Sequence, residues 1–531
     1  MRRAARILTL GFLAACAGGT AGPLAPMPVP GFNPENRVVI GDFSRVMAIA
    51  STVDRVYVVY PSGVGVWRPL ERRWEVPVAP ADAASLSGIT AAIVDPADRT
   101  LWLAAGAGWL HYDPVGNRWD RGALPARAEG IAVDATSPSD GVWFKLAAGW
   151  VRQPRFGGAP VVVPRPPNSL TVPPTPEDAM RALPLLRGLS ARALMGPQLS
   201  QGRFTAAAPD PTGRGWYIGT SNRGLLYLDQ TATDFRVMSA GLPGNVIGAL
   251  AVDSNGVWVA NDANTVQRAG VTWLSNDLAR ASTLVGDMVT GIGFSAGRAL
   301  LVEGDSVWLA SDRGLVRLTD AGARVDRWEV PQGLPDPRVL SVTRWHGRIA
   351  AGTATGVALQ QADGAFVRLG VDLIDPVYAL FAVGDTLWVG TSRGLYGAFP
   401  GDAALRVPKG YQPLLEASVP TAIVSIARVA DTLLALTRDR LLWRSPADGI
   451  WHEGPLLSGQ LGPLRAMAAT ADGVWVGGLN GAAYVRPSAG MLHLLTVSRD
   501  LPGEVTSIAT AGRYLWIGTP RGLVRFLLDP Q

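Results

Sequence analysis

The feature of the chain that most limits its possible folds is a short phrase that recurs along it. "WYIGTSNRGLLYL" begins at Trp216, "VWLASDRGLVRL" at Val307 and "LWIGTPRGLVRF" at Leu515. With weaker copies included, the anchor positions of the phrase are Tyr57, Trp102, Trp143, Tyr217, Trp258, Trp308, Ala350, Trp388, Leu434, Trp475 and Trp516. Most intervals are 38–50 residues, and one is 74 residues. Such a period is typical of a four-stranded propeller blade, although some helical repeats share it.

The pattern within each unit favours strands over helices. Apolar residues alternate along short runs that are rich in β-branched and aromatic residues. The first run uses small residues, as in "ITAAIV" at 89–94 and "LRAMAATA" at 464–471, and tryptophan recurs one strand further out. Small residues suit the crowded axis of a propeller, and large rings fill the space where blades diverge. We therefore predict an all-β propeller of about eleven four-stranded blades.

The two ends of the repeat array complement each other. The last unit lacks a fourth strand, and an apolar run, "RVVIGDF" at 37–43, precedes the first innermost strand at 46–52. We predict that residues 37–43 supply the missing outer strand, because an open propeller would expose sheet edges and an apolar blade face. Single propellers commonly hold about four to eight blades. The units therefore form either one unusually wide ring or two rings, one nested in the sequence of the other.

An insertion at residues 164–199 accounts for the longest interval. Thr175 as N-cap, Pro176 at the first position and Asp178 in the first turn predict a short helix, and Pro184 limits its length. The insertion is either a lid or partner-docking arm, or a surface excursion packed across blade edges.

The first residues have the pattern of a secretory signal. Three arginines precede an apolar run at 7–15 that is too short to span a bilayer as a helix. The junction "LAAC" at 13–16 resembles the lipobox of bacterial lipoproteins; the alternative is an ordinary signal peptide with an unmodified cysteine. The resemblance implies that residues 1–15 are removed and that Cys16, the only cysteine, is acylated and anchors the protein.

The segment after Cys16 is small and proline-rich, so we expect residues 16–36 to be a flexible tether. By resemblance to lipoproteins, Ala17 favours the periplasmic face of the outer membrane. The net charge of +5 includes Arg2, Arg3 and Arg6 of the signal. Removing them leaves a nearly neutral protein, which excludes the strongly basic surface of a typical nucleic-acid-binding domain.

Another repeated phrase lies between successive units. "GLPGNV" at 241–246 recurs as "GLPDPRV" at 333–339 and "DLPGEV" at 500–505. Together with "LWIGT…GL", it resembles the two-component regulator propeller repeat, a family found in periplasmic sensors of hybrid histidine kinases and in other bacterial surface proteins. The resemblance covers most of residues 37–529 and is weak near Ala350 and Leu434. We recognise no kinase or DNA-binding segment in the sequence, so the sensor-kinase role is not expected to transfer.

Few residues suggest chemistry. His111, His346, His452 and His493 are predicted on outer strands or in a turn, without metal-ligand spacing. Asp95, Asp134 and Asp253 are expected at strand ends, where an Asp side chain bonds the local backbone. We expect no catalytic residue, metal or cofactor.

A possible binding rim consists of arginines just before the hairpin glycines. Arg223, Arg313, Arg393 and Arg521 share that position, and hairpins of successive blades project from one face of a ring. Such a rim could receive an acidic peptide or a carboxylated glycan. Alternatively, each arginine bridges to its neighbouring blade.

These observations favour a lipid-anchored, non-enzymatic propeller that binds a protein or an extracytoplasmic ligand, as a scaffold or a sensor. The alternative is a propeller enzyme of the cell envelope, such as a polysaccharide or small-molecule lyase or hydrolase. An enzyme requires acid and base groups that converge at a channel mouth.

Overall fold

The structure, a computed structural model, describes residues 36–528 except 81–82, 135, 137–140, 156, 184–202, 232–234, 239, 265–268, 286–292, 320–321, 323, 403, 409–410, 412–420 and 487–489. It confirms the all-β propeller: the described strands form eleven antiparallel sheets, numbered here as blades 1–11. Cys16 and the predicted signal and tether lie outside the described residues.

Blades 1–4 follow the first strand, β1. The strands are β1 (Arg37–Ile40); blade 1, β2–β5 (Ala48–Ser51, Val56–Tyr60, Gly63–Arg68, Arg73–Trp74); blade 2, β6–β9 (Ile89–Val94, Leu101–Ala105, Gly108–Asp113, Arg118–Ala123); blade 3, β10–β14 (Ala128–Asp134, Val142–Leu146, Gly149–Gln153, Val161–Val163, Leu170–Thr171); and blade 4, β15–β18 (Phe204–Pro209, Gly215–Thr220, Leu225–Asp229, Arg236–Met238).

Blades 5–11 complete the array. Their strands are blade 5, β19–β22 (Ile247–Val252, Gly256–Asn261, Gly270–Ser275, Ala281–Val285); blade 6, β23–β26 (Gly297–Glu303, Ser306–Ser311, Gly314–Thr319, Arg324–Trp328); blade 7, β27–β30 (Val339–Trp345, Arg348–Thr353, Gly356–Gln360, Phe366–Leu369); blade 8, β31–β33 (Val377–Val383, Thr386–Thr391, Gly394–Ala398); blade 9, β34–β37 (Ser425–Val429, Thr432–Leu436, Arg440–Arg444, Trp451–Leu456); blade 10, β38–β41 (Leu464–Ala469, Val474–Gly478, Gly481–Arg486, Gly490–Thr496); and blade 11, β42–β44 (Ser507–Ala511, Tyr514–Thr519, Gly522–Leu527). Among the described residues, two short α-helices, α1 (Pro176–Ala182) and α2 (Ser458–Leu461), interrupt the repeat.

The repeated "GT…G" phrase forms the hairpin between the second and third strands of a blade. The hydroxyl that ends the second strand donates to the carbonyl of the glycine that begins the third, at 3.0 Å for Thr391 and Gly394 and 2.7 Å for Thr519 and Gly522. Both glycines have positive φ, 135° and 123°, which disfavours other residues. The phrase therefore recurs because each blade needs the same closed hairpin.

The innermost strands show which blades are neighbours. Successive innermost strands contact each other from β2 to β6 to β10, and β15 contacts β2. A second series runs from β19 through β23, β27, β31, β34 and β38 to β42, and β42 contacts β19. The eleven blades therefore divide into two groups: blades 5–11 form a closed large ring, whereas blades 1–4 follow one another in the order 4, 1, 2, 3, without a comparable contact between β10 and β15. We call blades 1–4 the small ring. Of the two arrangements that the sequence left open, the nested pair is the one observed.

The large ring is closed by the strand that the sequence predicted. β1 pairs antiparallel with β44, with Val39 opposite Val524 and Ile40 opposite Leu523, and so becomes the outer strand of blade 11. Ile40 is 1% exposed, and Arg525 donates to the carbonyl oxygen of Asn276 in blade 5 at 2.5 Å. First and last blades are thus joined by burial and by hydrogen bonds.

The chain enters and leaves the small ring through two adjacent segments. Asp42, just after β1, forms a parallel bridge with Leu242, which lies just before blade 5. The Asp42 backbone N–H also donates to the side-chain oxygen of Asn245 at 2.6 Å. Phe43 stacks on Tyr60 of blade 1 with ring centroids 4.4 Å apart. The small ring is therefore inserted in sequence between β1 and the rest of the large ring.

The insertion lies at the junction between blades 3 and 4. β14 pairs with the innermost strand of blade 3, β10, and α1 packs Ala179 and Leu183 against Ala207 and Ile218 of blade 4. The other face of blade 4 packs on blade 1. α1 therefore covers the face of blade 4 that points away from blade 1. The described part of the insertion thus contacts blade 3 through β14 and blade 4 through α1; residues 184–199 lie outside the described residues.

Tryptophans of the second strands fill the gaps between blades, as their spacing predicted. Trp308 packs with blade 7, Trp475 with blade 11 and Trp516 with blade 5. All three are at most 4% exposed. Each of these three blades thus buries its indole against the following blade.

Within the described residues, no helix combines the length and apolar character that a bilayer span requires.

Candidate functional site

Five of the seven innermost strands of the large ring share an irregularity near their first residues. Their register with the second strand shifts around Gly248, Arg298, Leu340, Tyr378 and Arg465. In each strand the preceding residue is buried, as Ile247 and Val339 are. A bulge leaves one extra residue out of the ladder and redirects its side chain. Since these strands line the ring axis, the bulged residues occupy one mouth of the central channel.

Three consecutive bulged residues share a cavity at this mouth. Arg298, Leu340 and Tyr378, from blades 6, 7 and 8, line a space of about 430 Å³ together with Asp312 and Arg338. Ligand pockets in proteins typically span about 300–1,000 Å³, so the cavity is large enough for a side chain or a small molecule. It combines an aromatic ring, an aliphatic side chain, two guanidinium groups and a carboxylate.

Two carboxylates bind successive backbone N–H groups at the start of β23. Asp312 Oδ1 accepts from Ser295 and Ala296 at 2.8 and 2.9 Å, and Asp262 Oδ1 accepts from Gly297 at 2.8 Å. A Cβ at Gly248 would lie 2.4 Å from Asp262 Oδ1, so the missing side chain makes room for this carboxyl group. Both carboxylates therefore hold the mouth in shape.

Burial raises the pKa of Asp262. The hydrogen bond from Gly297 and the charge of Arg298 oppose this shift, and the charge of Asp312 adds to it. Asp262 is thus a carboxyl group that holds its proton more tightly than an exposed aspartate does, next to a second carboxylate.

The arginines at the mouth differ in their partners. Arg338 bonds both carboxylate oxygens of Asp336, at 3.1 and 3.2 Å, and thereby lowers the pKa of Asp336. Arg465 pairs with Glu504, in the loop that leads into blade 11, at 2.7 Å. Arg298 is exposed and forms no hydrogen bond or ion pair with any described residue. Its guanidinium group is therefore available to a ligand.

The four arginines predicted to form a rim lie on two rings. Arg223 is in the hairpin of blade 4, in the small ring, whereas Arg313, Arg393 and Arg521 belong to blades 6, 8 and 11 of the large ring. Arg393 pairs with Asp375 at 3.0 Å, in the loop that leads into its own blade. The structure thus places no two of the four arginines on adjacent blades. Ligand binding by Arg313, Arg393 and Arg521, the three arginines of the large ring, remains a prediction.

The histidines lie where the sequence predicted, away from this mouth. His111, His452 and His493 are on third or fourth strands, and His346 is in the turn between β27 and β28, at the opposite end of the strand from Leu340. His452 stacks on Trp443 with centroids 4.5 Å apart. Among the described residues, no group of three or more His, Cys, Asp or Glu side chains is arranged to hold a metal ion.

The aspartates expected at strand ends accept hydrogen bonds from the local backbone, as predicted. Asp95 accepts from the N–H of Ala97 at 3.0 Å, Asp134 from that of Thr136 at 2.9 Å, and Asp253 from those of Asn255 and Gly256, both at 2.7 Å. Asp95 is also fully buried and pairs with Arg155 of blade 3 at 2.7 Å, which links blade 2 to blade 3.

Sequence reasoning missed the mouth residues. Arg298 and Tyr378 interrupt runs of small and aliphatic residues, "GRALLVE" and "VYALFAV". The sequence signal for these residues was a polar or aromatic residue at the second position of an innermost strand. Without the bulge, simple alternation would place that residue between blades instead of in the channel.

Comparisons with protein families and with curated proteins find no match. Among solved structures, the extracellular domain of a putative hybrid two-component system from B. thetaiotaomicron is 12% identical, with a TM-score of 0.41 over 91% of this chain and 70% of that one. PorZ, a surface component of the type-IX secretion system of Porphyromonas gingivalis, is 11% identical, with a TM-score of 0.41 over 91% and 69%. Virginiamycin B lyase from Staphylococcus aureus is 14% identical, with a TM-score of 0.43 over 54% and 96%. At these identities the similarities concern the fold.

Proposed function

We propose that this protein is a lipid-anchored, extracytoplasmic propeller of the two-component regulator type that binds a ligand or protein partner at the mouth of its large ring. The observation that carries the proposal is the shared cavity of Arg298, Leu340 and Tyr378. Three successive bulges direct side chains of different chemistry into one space, on a rigid frame of packed blades. Blade packing alone does not require an exposed arginine at that position.

The chemistry of the mouth favours a ligand group that accepts hydrogen bonds. Arg298 offers a planar set of donors without a described partner, and such donors suit a carboxylate. Leu340 and Tyr378 provide half-buried apolar surface beside it. An acidic side chain of a partner protein, or a carboxylate on a small molecule, matches this combination.

Site-specific photo-crosslinking in the intact envelope tests this proposal. A photoreactive residue in place of Leu340 should capture a defined product, and Arg298→Ala should abolish the capture. The same photoreactive residue at Val115, a 92% exposed position in the small ring, is the control. Identical products from both positions, or capture that persists in Arg298→Ala, would contradict binding at the mouth.

The lipid anchor is tested separately. Palmitate labelling and membrane association of the full chain should both be lost in Cys16→Ser, because the thiol is the acylated group in lipoproteins. Membrane association should persist in Arg298→Ala. Labelling that survives in Cys16→Ser would exclude acylation at this residue.

A second candidate function, a propeller enzyme, is favoured by one observation. Asp262 and Asp312 lie together at the mouth, and the pKa of Asp262 is raised by burial, as a general acid requires. Incubation with envelope polysaccharides tests it: depolymerisation that is lost in both Asp262→Asn and Asp312→Asn would support an enzyme. Activity that is unchanged in both variants would exclude these carboxylates as catalytic residues.

A further inference from the structure

A second cavity lies between blades 5 and 6, away from the mouth. It measures about 380 Å³, and its walls come from the faces of the two blades. Trp258 and Trp273, directly opposite each other on β20 and β21, form one wall. Val307 and Leu318 form the facing wall, and Asp305 lies in a turn at one end. Asp253 and Ser282 complete the polar part of the lining.

One carboxylate fixes both indoles. Asp253 Oδ2 accepts from the ring N–H groups of Trp258 and Trp273 at 3.1 and 3.0 Å, while Oδ1 accepts from two backbone N–H groups. Both oxygens of Asp253 are therefore occupied. The two rings are held side by side and half-buried, so they form a preorganised aromatic wall.

The corresponding space between blades 10 and 11 is filled. There Trp475 and Tyr484 take the places of Trp258 and Trp273, and they pack against Leu515 and Phe526. Phe526 ends the phrase "GLVRF", whereas blade 6 has "GLVRL" with Leu318 at that position. Trp475 is 1% exposed. The smaller Leu318 is one reason why the cleft between blades 5 and 6 stays open.

The lining of the open cleft is aromatic and acidic. It contains two indoles and the carboxylates of Asp253 and Asp305, and none of the described lining residues is a lysine or an arginine. Asp305 is exposed and forms no hydrogen bond or ion pair within the described part of the chain. Arg280 already lies over Trp273, 5.6 Å from the ring centroid, which shows that this indole attracts a cation from within the protein. Indole faces and nearby carboxylates both favour positive charge.

We propose that the cleft between blades 5 and 6 binds a small alkylammonium cation, independently of the ligand at the mouth of the large ring. The cation lies against Trp258 and Trp273, its alkyl groups contact Val307 and Leu318, and Asp305 supplies the opposite charge. A phosphate-bearing form of the same amine is disfavoured, because the described lining residues include two carboxylates and no basic group; Arg280 lies outside the lining, against Trp273. The structure therefore favours a free amine over a lipid headgroup.

Calorimetric titration of the full-length protein in detergent with choline tests the proposal. We expect saturable binding with a dissociation constant on the order of 1 mM or tighter. The neutral isostere 3,3-dimethylbutanol should bind at least about tenfold more weakly, because it lacks the charge that the indoles attract. Phosphocholine should also bind more weakly. Absence of choline binding, or equal binding of the neutral isostere, would overturn the proposal; tighter binding of phosphocholine would overturn the preference for a free amine.

Two variants locate the binding in the cleft. Leu318→Phe copies the residue of blade 11 and should abolish choline binding, because the larger ring occupies cleft volume. Leu318 is 2% exposed, so thermal melting of the variant checks that it is folded. Asp305→Asn should weaken binding about threefold to tenfold. Its matched control is Asp385→Asn, which changes the equivalent turn of blade 8 and should leave binding unchanged.

Three outcomes would contradict this site: binding that persists in a folded Leu318→Phe protein, binding unaffected by Asp305→Asn, or equal losses in the two aspartate variants. Arg298→Ala distinguishes this proposal from ligand binding at the mouth, because it should leave choline binding intact. Choline binding that is lost in a folded Arg298→Ala protein would place the cation at the mouth and overturn the assignment to the cleft.

Discussion

In the large ring, the first and last blades are joined by strand pairing, whereas in the small ring an added helix and strand lie between blades 3 and 4 in sequence. β1 becomes the outer strand of blade 11, and Ile40 is buried between that blade and blade 5. In the small ring, the junction between blades 1 and 4 is direct: the N–H of Val46 donates to the carbonyl of Thr220 at 2.9 Å. The junction between blades 3 and 4 instead includes α1 and β14.

This difference shows that one blade pattern serves rings of different size. Blades diverge more steeply around a small ring, so less of each blade face meets its neighbour. The helix covers blade 4 with Ala179 and Leu183, which are 0% and 8% exposed. In the seven-bladed ring, Trp475 and Trp516 fill the gaps between blades 10 and 11 and between blades 11 and 5.

The largest effect is expected from removing the closing strand. Deletion of residues 37–43 should destabilise the protein by on the order of 5 kcal/mol or prevent folding, because it removes a paired strand and exposes the edge of blade 11. Deletion of residues 17–36 is the control and should leave the melting temperature unchanged. Calorimetric melting of both proteins tests the comparison, and equal melting temperatures would rule out closure by β1.

A smaller effect is expected at the helical junction. Ala179→Asp places a charge against blade 4 and should cost about 3 kcal/mol, mainly in the unfolding of the small ring. Arg181→Gln, on the same helix with a side chain that is 71% exposed, should change stability by less than about 0.5 kcal/mol. Hydrogen exchange of the strands should locate the loss in blades 3 and 4. Equal exchange changes in both rings would show that the rings do not unfold separately.

The cap of α1 should contribute less than its buried face. Thr175 and Asp178 form a reciprocal capping box, in which the backbone N–H of Thr175 donates to the Asp178 carboxylate at 2.8 Å. Thr175→Ala should therefore cost about 1 kcal/mol. Thr175→Ser, which keeps the hydroxyl, should restore most of that stability in denaturant unfolding. A serine variant as unstable as the alanine variant would exclude the cap as the cause.

The smallest effect should be the same in both rings. Thr391→Val in blade 8 and Thr220→Val in blade 4 each remove a hydroxyl that bonds a hairpin glycine, at 3.0 and 2.8 Å. Each should cost about 1 kcal/mol, as measured by denaturant unfolding. A much larger cost in one ring would show that the hairpins of the two rings are not equivalent.

Much of the fold could be predicted because the repeat specifies each blade locally. Alternating strands, the hydroxyl and glycine of the hairpin and the second-strand tryptophan all act within a blade or between neighbouring blades. The closing strand was predictable because the last unit lacks one strand and an apolar run at 37–43 could supply it. The α1 helix was predictable because Thr175, Pro176 and Asp178 form a local start signal.

The candidate sites were far less predictable. The predicted arginine rim relied on the four arginines occupying the same hairpin position in their blades. That shared position does not reveal which blades are neighbours. Arg298, Leu340 and Tyr378 share a cavity only because bulges redirect them, and β-bulges depend on the pairing of two strands. The cleft between blades 5 and 6 depends on Leu318, whose small size matters only opposite Trp258 and Trp273.

The sequence by itself determined the blade, its approximate number of copies and the strand that closes the array, because these follow from local periodicity and from unpaired edges. Only the tertiary structure decided that the blades divide into groups of four and seven, on which blades the helices pack, and where cavities remain. Those features depend on contacts between residues far apart in sequence, such as Asp42 with Leu242 and β42 with β19. Every blade carries the same repeat, so the repeat does not specify which blades make these contacts.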